Sequence, residues 1–292
     1  MKFGVSNLAW RAAREDEAFA CLAQAGYQGV EVAPSRVADW AELTRPKLEA
    51  YRRKCEAVGL TIPSLQAIFF GHPDAQLLKD ESAFDAMRTH VGKIADIGAT
   101  LGASVAVFGA PRNRTRGEMR REAAFRLAVD RLRWLGDALT PSGVALGVEP
   151  VPVYYGADFI EHVDQVVALV GACDHPFVRL HLDCACIQLS GDDLSVAITR
   201  YGGGAAHYHA AEPDLGPFSE LRCDHKAAAA ALRASGYDRW VVIEMREQHE
   251  NDLTALQQAL VRVRELYDND GTVSPPSRAY GQLDDVKIIS AE

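Results

Sequence analysis

Val144-Ala145-Leu146-Gly147-Val148-Glu149-Pro150-Val151, an amphipathic stretch from Ala157 to Val170, and then Val178-Arg179-Leu180-His181-Leu182-Asp183 form the passage on which the fold turns. Two short runs rich in Val and Leu flank a stretch of helical periodicity. That is how a parallel strand, a crossover helix and the next strand read. Each run carries a carboxylate toward its end, Glu149 in the first and Asp183 in the second.

The same rhythm extends outward in both directions. Upstream, Phe3 to Leu8 precedes a helix from Glu15 to Ala25, and Gly29 to Val32 precedes one from Arg45 to Val58. Thr61 to Phe70 leads into a helix from Ser82 to Leu101, and Ser104 to Phe108 into one from Gly117 to Leu139. Downstream, Val178 to Ile187 is followed by Asp192 to Tyr201, Ala205 to Ala210 by Asp224 to Ala234, and Trp240 to Met245 by Asn251 to Tyr267. Gly26, Gly59, Gly102, Gly171 and Gly236 are read as the left-handed residues that end helices.

The count is eight βα units in about 267 residues, near 33 residues each. Strict alternation implies a parallel sheet, and eight units of this length predict an α/β protein with a single (β/α)8 TIM barrel over 1–267. A doubly wound open sheet competes, but Ser6-Asn7-Leu8-Ala9-Trp10 lacks the glycines of a dinucleotide loop after the first strand. The C-terminal extension, 268–292, breaks the pattern with Pro275-Pro276 and an apolar end at Val286 to Ile289. It reads as a peripheral strap or partly disordered end, or as an arm packed on a partner subunit.

Composition narrows the function classes. The 292 residues are 48% apolar and 24% charged, too apolar for a disordered chain. No apolar run approaches the roughly 20 residues that span a bilayer, so no membrane role is expected. The start of the chain carries no basic stretch followed by an apolar segment, and the six cysteines include no CxxC pair. A cytoplasmic protein with reduced thiols is the expectation. Cys184 and Cys186 fall in the sixth strand run, on one face, and read as packed thiols. With 31 basic against 40 acidic residues the net charge is −9, the wrong sign for gripping nucleic acid.

In a (β/α)8 barrel, functional groups come from the carboxyl ends of the strands. Glu149, Asp183, His209 and Glu244 occupy those ends in units five to eight, separated by 34, 26 and 35 residues. All four therefore point into one mouth at similar height. A single glutamate after a strand serves as a salt bridge or a loop cap, but four such groups in phase with the repeat call for another reason. Three carboxylates in apolar sequence repel one another unless a cation neutralises them. The mixed oxygen and nitrogen set suits one divalent ion, Mn²⁺ first, with Co²⁺, Mg²⁺ or Zn²⁺ as alternatives.

Five motifs extend this reading: Gly26-Tyr27-Gln28-Gly29-Val30-Glu31, Gly147-Val148-Glu149-Pro150, His181-Leu182-Asp183, His207-Tyr208-His209 and Val242-Ile243-Glu244. On these the chain resembles the sugar isomerase/epimerase superfamily of xylose-isomerase-like barrels, which includes ketose 3-epimerases, inosose dehydratases, hydroxypyruvate isomerases and endonuclease IV. The resemblance implies metal ligands at Glu149, Asp183, His209 and Glu244, with Glu149 and Glu244 as the acid/base pair. It implies an isomerase or epimerase in carbohydrate metabolism, acting on a keto-sugar or related polyol. A proton is removed beside a metal-bound carbonyl, and the resulting enediolate is reprotonated. The alternative on the same site is a sugar or inosose dehydratase.

The chain departs from the ketose 3-epimerase pattern at three substrate positions. Cys186 stands where those enzymes carry histidine, Leu215 where they carry arginine, and Tyr155 where they carry a second glutamate. A different substrate is therefore expected. Candidate substrate-binding residues are Glu31, Gln66, Arg112, Arg114, Cys186 and Glu212, with the arginines suited to a phosphate or carboxylate. His181 and His207, two residues before their ligands, are read as supporting histidines one layer deeper. The expected partner is a small sugar, with a homodimer or homotetramer as the assembly. A repair nuclease is disfavoured because the ends of strands two, three and six lack its additional histidines. A non-catalytic barrel is disfavoured by the complete ligand set.

Overall fold

The computed structural model describes residues 1–268, so the expectation for the C-terminal extension lies outside the described residues save Asp268. Eight parallel strands alternate with helices: β1 (Lys2–Ser6), α1 (Glu15–Gln24), β2 (Gly29–Glu31), α2 (Arg45–Glu56), β3 (Ser64–Leu65), α3 (Glu81–Leu101), β4 (Val105–Phe108) and α4 (Arg121–Leu139). The second half runs β5 (Ala145–Val148), α5 (Val163–Cys173), β6 (Val178–Asp183), α6 (Cys184–Leu189), α7 (Leu194–Tyr201), β7 (His207–Ala211), α8 (His225–Ala234), β8 (Trp240–Glu244) and α9 (Asp252–Tyr267). The ladder order is β2-β1-β8-β7-β6-β5-β4-β3. Single bridges Gly29–Thr61 and Val32–Leu65 join its two ends and close the barrel.

Alternation along the strands sorts side chains into two shells. Phe3, Val5, Leu146, Val148, Leu180, Leu182, Tyr208, Val241 and Ile243 belong to the main apolar cluster with the helices. The residues between them, among them Gly147, His181, His207 and His209, face the barrel interior. The hydrophobic core is therefore the layer between sheet and helices, and the interior is free to carry polar chemistry at its carboxyl end.

Three local expectations are corrected. The run Thr61 to Phe70 gives only a two-residue β3, because Pro63 has no N–H to donate and Ala67 turns the chain at φ +50°. The run Val178 to Ile187 is strand only to Asp183; the Asp183 side chain then accepts the Cys186 N–H and caps α6. Cys184 and Cys186 consequently sit in a helix rather than on one strand face. Gly171 lies inside α5, which continues to Cys173 and stops at Asp174 in the left-handed region (φ +45°). Gly26, Gly59, Gly102 and Gly236 do take positive φ as expected.

Candidate active site

Strand register assembles the site. Asp183 on β6 pairs directly with His209 on β7, and Glu244 on β8 pairs with Ala211, two residues beyond His209. Glu149 follows β5, whose Val148 pairs with Phe108 of β4. Ligand atoms of Glu149, Asp183 and His209 lie within 4.8 Å of one another, all on buried residues. Glu244 joins them through Oε2, 3.3 Å from His209 Nδ1, while Asp183 Oδ2 is 3.8 Å from the same nitrogen. The structure thus brings together all four residues picked out by spacing.

His209 Nδ1 is buried and has no hydrogen-bond partner. Its other nitrogen, Nε2, lies 2.9 and 3.1 Å from the two oxygens of Glu31, which also accepts the Ser64 hydroxyl at 2.7 Å. A carboxylate behind a histidine that turns its free nitrogen toward other carboxylates is the arrangement that orients imidazole for a metal. The hard, oxygen-rich donor set and this orphaned nitrogen fit a divalent cation. Glu31 is fully buried on that duty. Replacing it by Gln should weaken divalent-ion affinity by about 10–100-fold, as measured by calorimetric titration of the metal-free protein.

Burial dominates the electrostatics. It pushes Glu149 up to about 8, with the charges of Asp183 and Glu244 adding to the rise. Burial, then the Glu244 charge, pushes Asp183 up to about 6. Burial acts to lower His209, but Glu31 and Glu244 prevail and hold it well above the ordinary imidazole range. For Glu31, burial works upward and is overcome by His209, with help from His207 and Ser64. Beneath them His181 and His207 are 0% and 1% exposed, and burial keeps both neutral, His207 near 3. Without a cation, a proton on His209 offsets part of the carboxylate charge.

The other sequence candidates take different places. Cys186 Sγ lies 3.6 Å from Glu149 Oε1, at the edge of the cluster. Arg114, 1% exposed, donates to the backbone oxygens of Phe108 and Glu149 at 3.1 and 2.6 Å. Its guanidinium is thereby built into the wall that holds Glu149. Arg112 lies in the same loop with an exposed side chain. Gln66 donates to the Ser6 hydroxyl. Glu212 is buried and bound to His225 and to the amides of Arg222 and Cys223. An external groove of about 650 Å³, lined by Trp40, Leu43, Leu48 and Ile97, contains none of these residues.

Gly109 escaped the sequence reading. A Cβ there would overlap Glu149 Oε2, so only glycine leaves room for that carboxylate. The available signal was a glycine directly after β4, level with Glu149 on the neighbouring strand. Gly109→Ala should leave the fold intact and lower turnover by about 100-fold, the usual cost of moving a reacting group by an ångström. Circular dichroism beside metal-dependent deuterium exchange into a keto-sugar substrate would check this.

A (β/α)8 barrel with a carboxylate and histidine cluster at its carboxyl-end mouth is the class these features define. The chain belongs to the xylose isomerase-like TIM barrel family, which it matches over residues 19–266. No curated protein sequence matches it. Among solved structures it is similar to D-psicose 3-epimerase with D-tagatose from Clostridium cellulolyticum H10, at 16% identity and TM-score 0.76, covering 91% of this chain and 99% of that one. It is similar also to apo 3-keto-D-glucoside 4-epimerase, YcjR, from E. coli, at 21% identity, TM-score 0.75 and the same coverages of 91% and 99%. A third is the IolI protein with a binding zinc atom, at 17% identity and TM-score 0.72, covering 92% of this chain and 98% of that one. At these identities the similarity establishes the shared barrel.

Proposed function

We propose that the protein is a divalent-metal-dependent isomerase or epimerase of a keto-sugar or related polyol, with manganese as the favoured ion. The observation that carries this reading is the orphaned Nδ1 of His209 set among Asp183, Glu244 and Glu149. An ion held by these four residues would act as a Lewis acid on a substrate carbonyl and lower the barrier to removing the neighbouring proton.

The chain's own groups supply the rest. Glu149 just after β5 and Glu244 at the end of β8 flank the two strands that carry Asp183 and His209, so a substrate over those strands has a carboxylate on either side. One takes the proton from the carbon beside the carbonyl and the other returns one, inverting that carbon or moving the carbonyl along the chain. Gly109 and Cys186 shape the space around Glu149, and Arg114 fixes its backbone. Glu31 orients His209. The neighbours described as sugar epimerases support the substrate class.

The test is a panel of keto-sugars, sugar phosphates and inososes incubated in D2O with the Mn²⁺-loaded protein and followed by NMR. Deuterium should enter at the carbon beside the carbonyl of at least one class. A panel with no metal-dependent exchange would overturn the reading.

A further inference from the structure

Behind the mouth lies a second cluster that the proposed reaction does not use. Cys184 opens α6, Cys223 ends the loop before α8, and His225 begins α8. All three are buried, and their Sγ, Sγ and imidazole nitrogen lie within 4.8 Å of one another. We infer that Cys184, Cys223 and His225 form a structural site for a thiophilic divalent ion, zinc by its chemistry, separate from the cluster at the mouth. The inference does not depend on the proposed sugar chemistry.

The donor geometry fits. Cys184 Sγ is 3.8 Å from His225 Nδ1. With zinc–sulfur and zinc–nitrogen bonds of about 2.3 and 2.0 Å, a tetrahedral site places sulfur about 3.5 Å from nitrogen. A contraction of a few tenths of an ångström along that edge is enough. Tyr267 Oη, 2.8 Å from Nδ1 and 3.0 Å from the Tyr208 hydroxyl, stands beside the same nitrogen at a fourth position.

The surroundings are those of a ligand set rather than of thiols packed as small apolar groups. Glu212 Oε1 lies 2.8 Å from His225 Nε2 and orients the ring so that Nδ1 is turned toward Cys184 Sγ and the Tyr267 hydroxyl. The other oxygen of Glu212 accepts the amides of Arg222 and Cys223, so one carboxylate orients the imidazole and pins the chain at the second cysteine. The Ala211 amide donates to Cys184 Sγ at 3.3 Å, a bond that a thiolate strengthens, while the thiol proton, which binding would displace, is held by the Ala211 carbonyl at 3.2 Å. Binding releases the two thiol protons to solvent, and two thiolates with a neutral imidazole exactly offset a dication's charge of two. The filled site is neutral and tolerates full burial. Such an ion would tie the start of α6, directly after Asp183, to the start of α8.

The test titrates Co²⁺ into the full-length, metal-stripped and reduced protein. A sulfur-to-cobalt charge-transfer band should appear, and zinc should displace it. The band should persist in Cys186→Ser, which removes the thiol near the mouth, and vanish in Cys223→Ser. Zinc retained through dialysis against EDTA should fall by about one equivalent per chain in that variant, whatever the mouth retains. Cys223→Ala serves if the serine variant does not fold. The inference is overturned if wild-type protein gives no band or if the band survives loss of Cys223. It is overturned equally if the protein as isolated has four free thiols in place of six with Cys184 and Cys223 joined as a disulfide.

Discussion

Glu149→Gln and Glu244→Gln should each cut solvent-deuterium incorporation beside the substrate carbonyl by roughly 10³-fold, within the range set by loss of a positioned acid/base. Glutamine keeps the shape and the hydrogen-bonding reach of each side chain but cannot take a proton. At position 149 the effect is the cleaner of the two. Glu149 is 7% exposed, fits against Gly109 and Cys186, and has its backbone held by Arg114, so its amide would stay where the carboxylate was. The confounding effect is metal loss, since each substitution also removes one negative charge from the donor set. Measuring exchange at saturating Mn²⁺, with metal content assayed in parallel, separates the two. Protein that retains its ion and has lost exchange identifies a proton-transfer residue. Either variant exchanging at the parental rate would remove that glutamate from the proposed acid/base pair.

How much of this was legible in the sequence differs between the ligands and their supports. Glu149, Asp183, His209 and Glu244 were readable because a barrel repeats one βα unit at a time and puts every strand end at the same rim. Any chemistry in phase with the repeat must then converge, as the Asp183–His209 register demonstrates. The supports are not periodic. Glu31 meets His209 across 178 residues of chain, and nothing in the local sequence around either announces the pair. Gly109 matters through the volume it leaves to a side chain on the next strand. Asp183 misled for a different reason: the apolar Cys184-Ala185-Cys186-Ile187 continues the strand pattern, but the Asp183 carboxylate offers the next turn a cap and helix wins. Arg114 reads as a ligand for an anionic substrate until burial shows it spent on two carbonyl oxygens.

Removing divalent ions should leave a protein whose melting temperature falls as pH rises from about 7 to 9, and Mn²⁺ should restore most at the alkaline end. The sign follows from the direction of the shifts. Burial and neighbouring charge raise Glu149 from 4.5 to about 8 in the folded chain, so the folded state holds a proton that the unfolded state has released. Stability associated with that proton is lost as pH climbs through the folded value. At about 1.4 kcal/mol per pH unit, the step from pH 7 to the folded value near 8 removes on the order of 1.4 kcal/mol, the rest of this group's penalty having built up below pH 7. His209, held above its ordinary value, acts in the same direction. Asp183, near 6, is already ionised above pH 7, and the depressed His181 and His207 are neutral there in both states, so neither reverses the trend. A cation competes with the same protons, so its apparent affinity rises through this window. At 100-fold excess over Kd it contributes about 2.7 kcal/mol, which for a domain of this size is roughly 5–10 °C. The metal-free Glu149→Gln variant supplies the decisive comparison, because it lacks the carboxylate whose ionisation is costly. It should melt above the parent at pH 9 and show a flatter pH dependence. A flat parental curve, or a variant that melts lower than the parent at pH 9, would mean that the carboxylates are not crowded around an empty cation position.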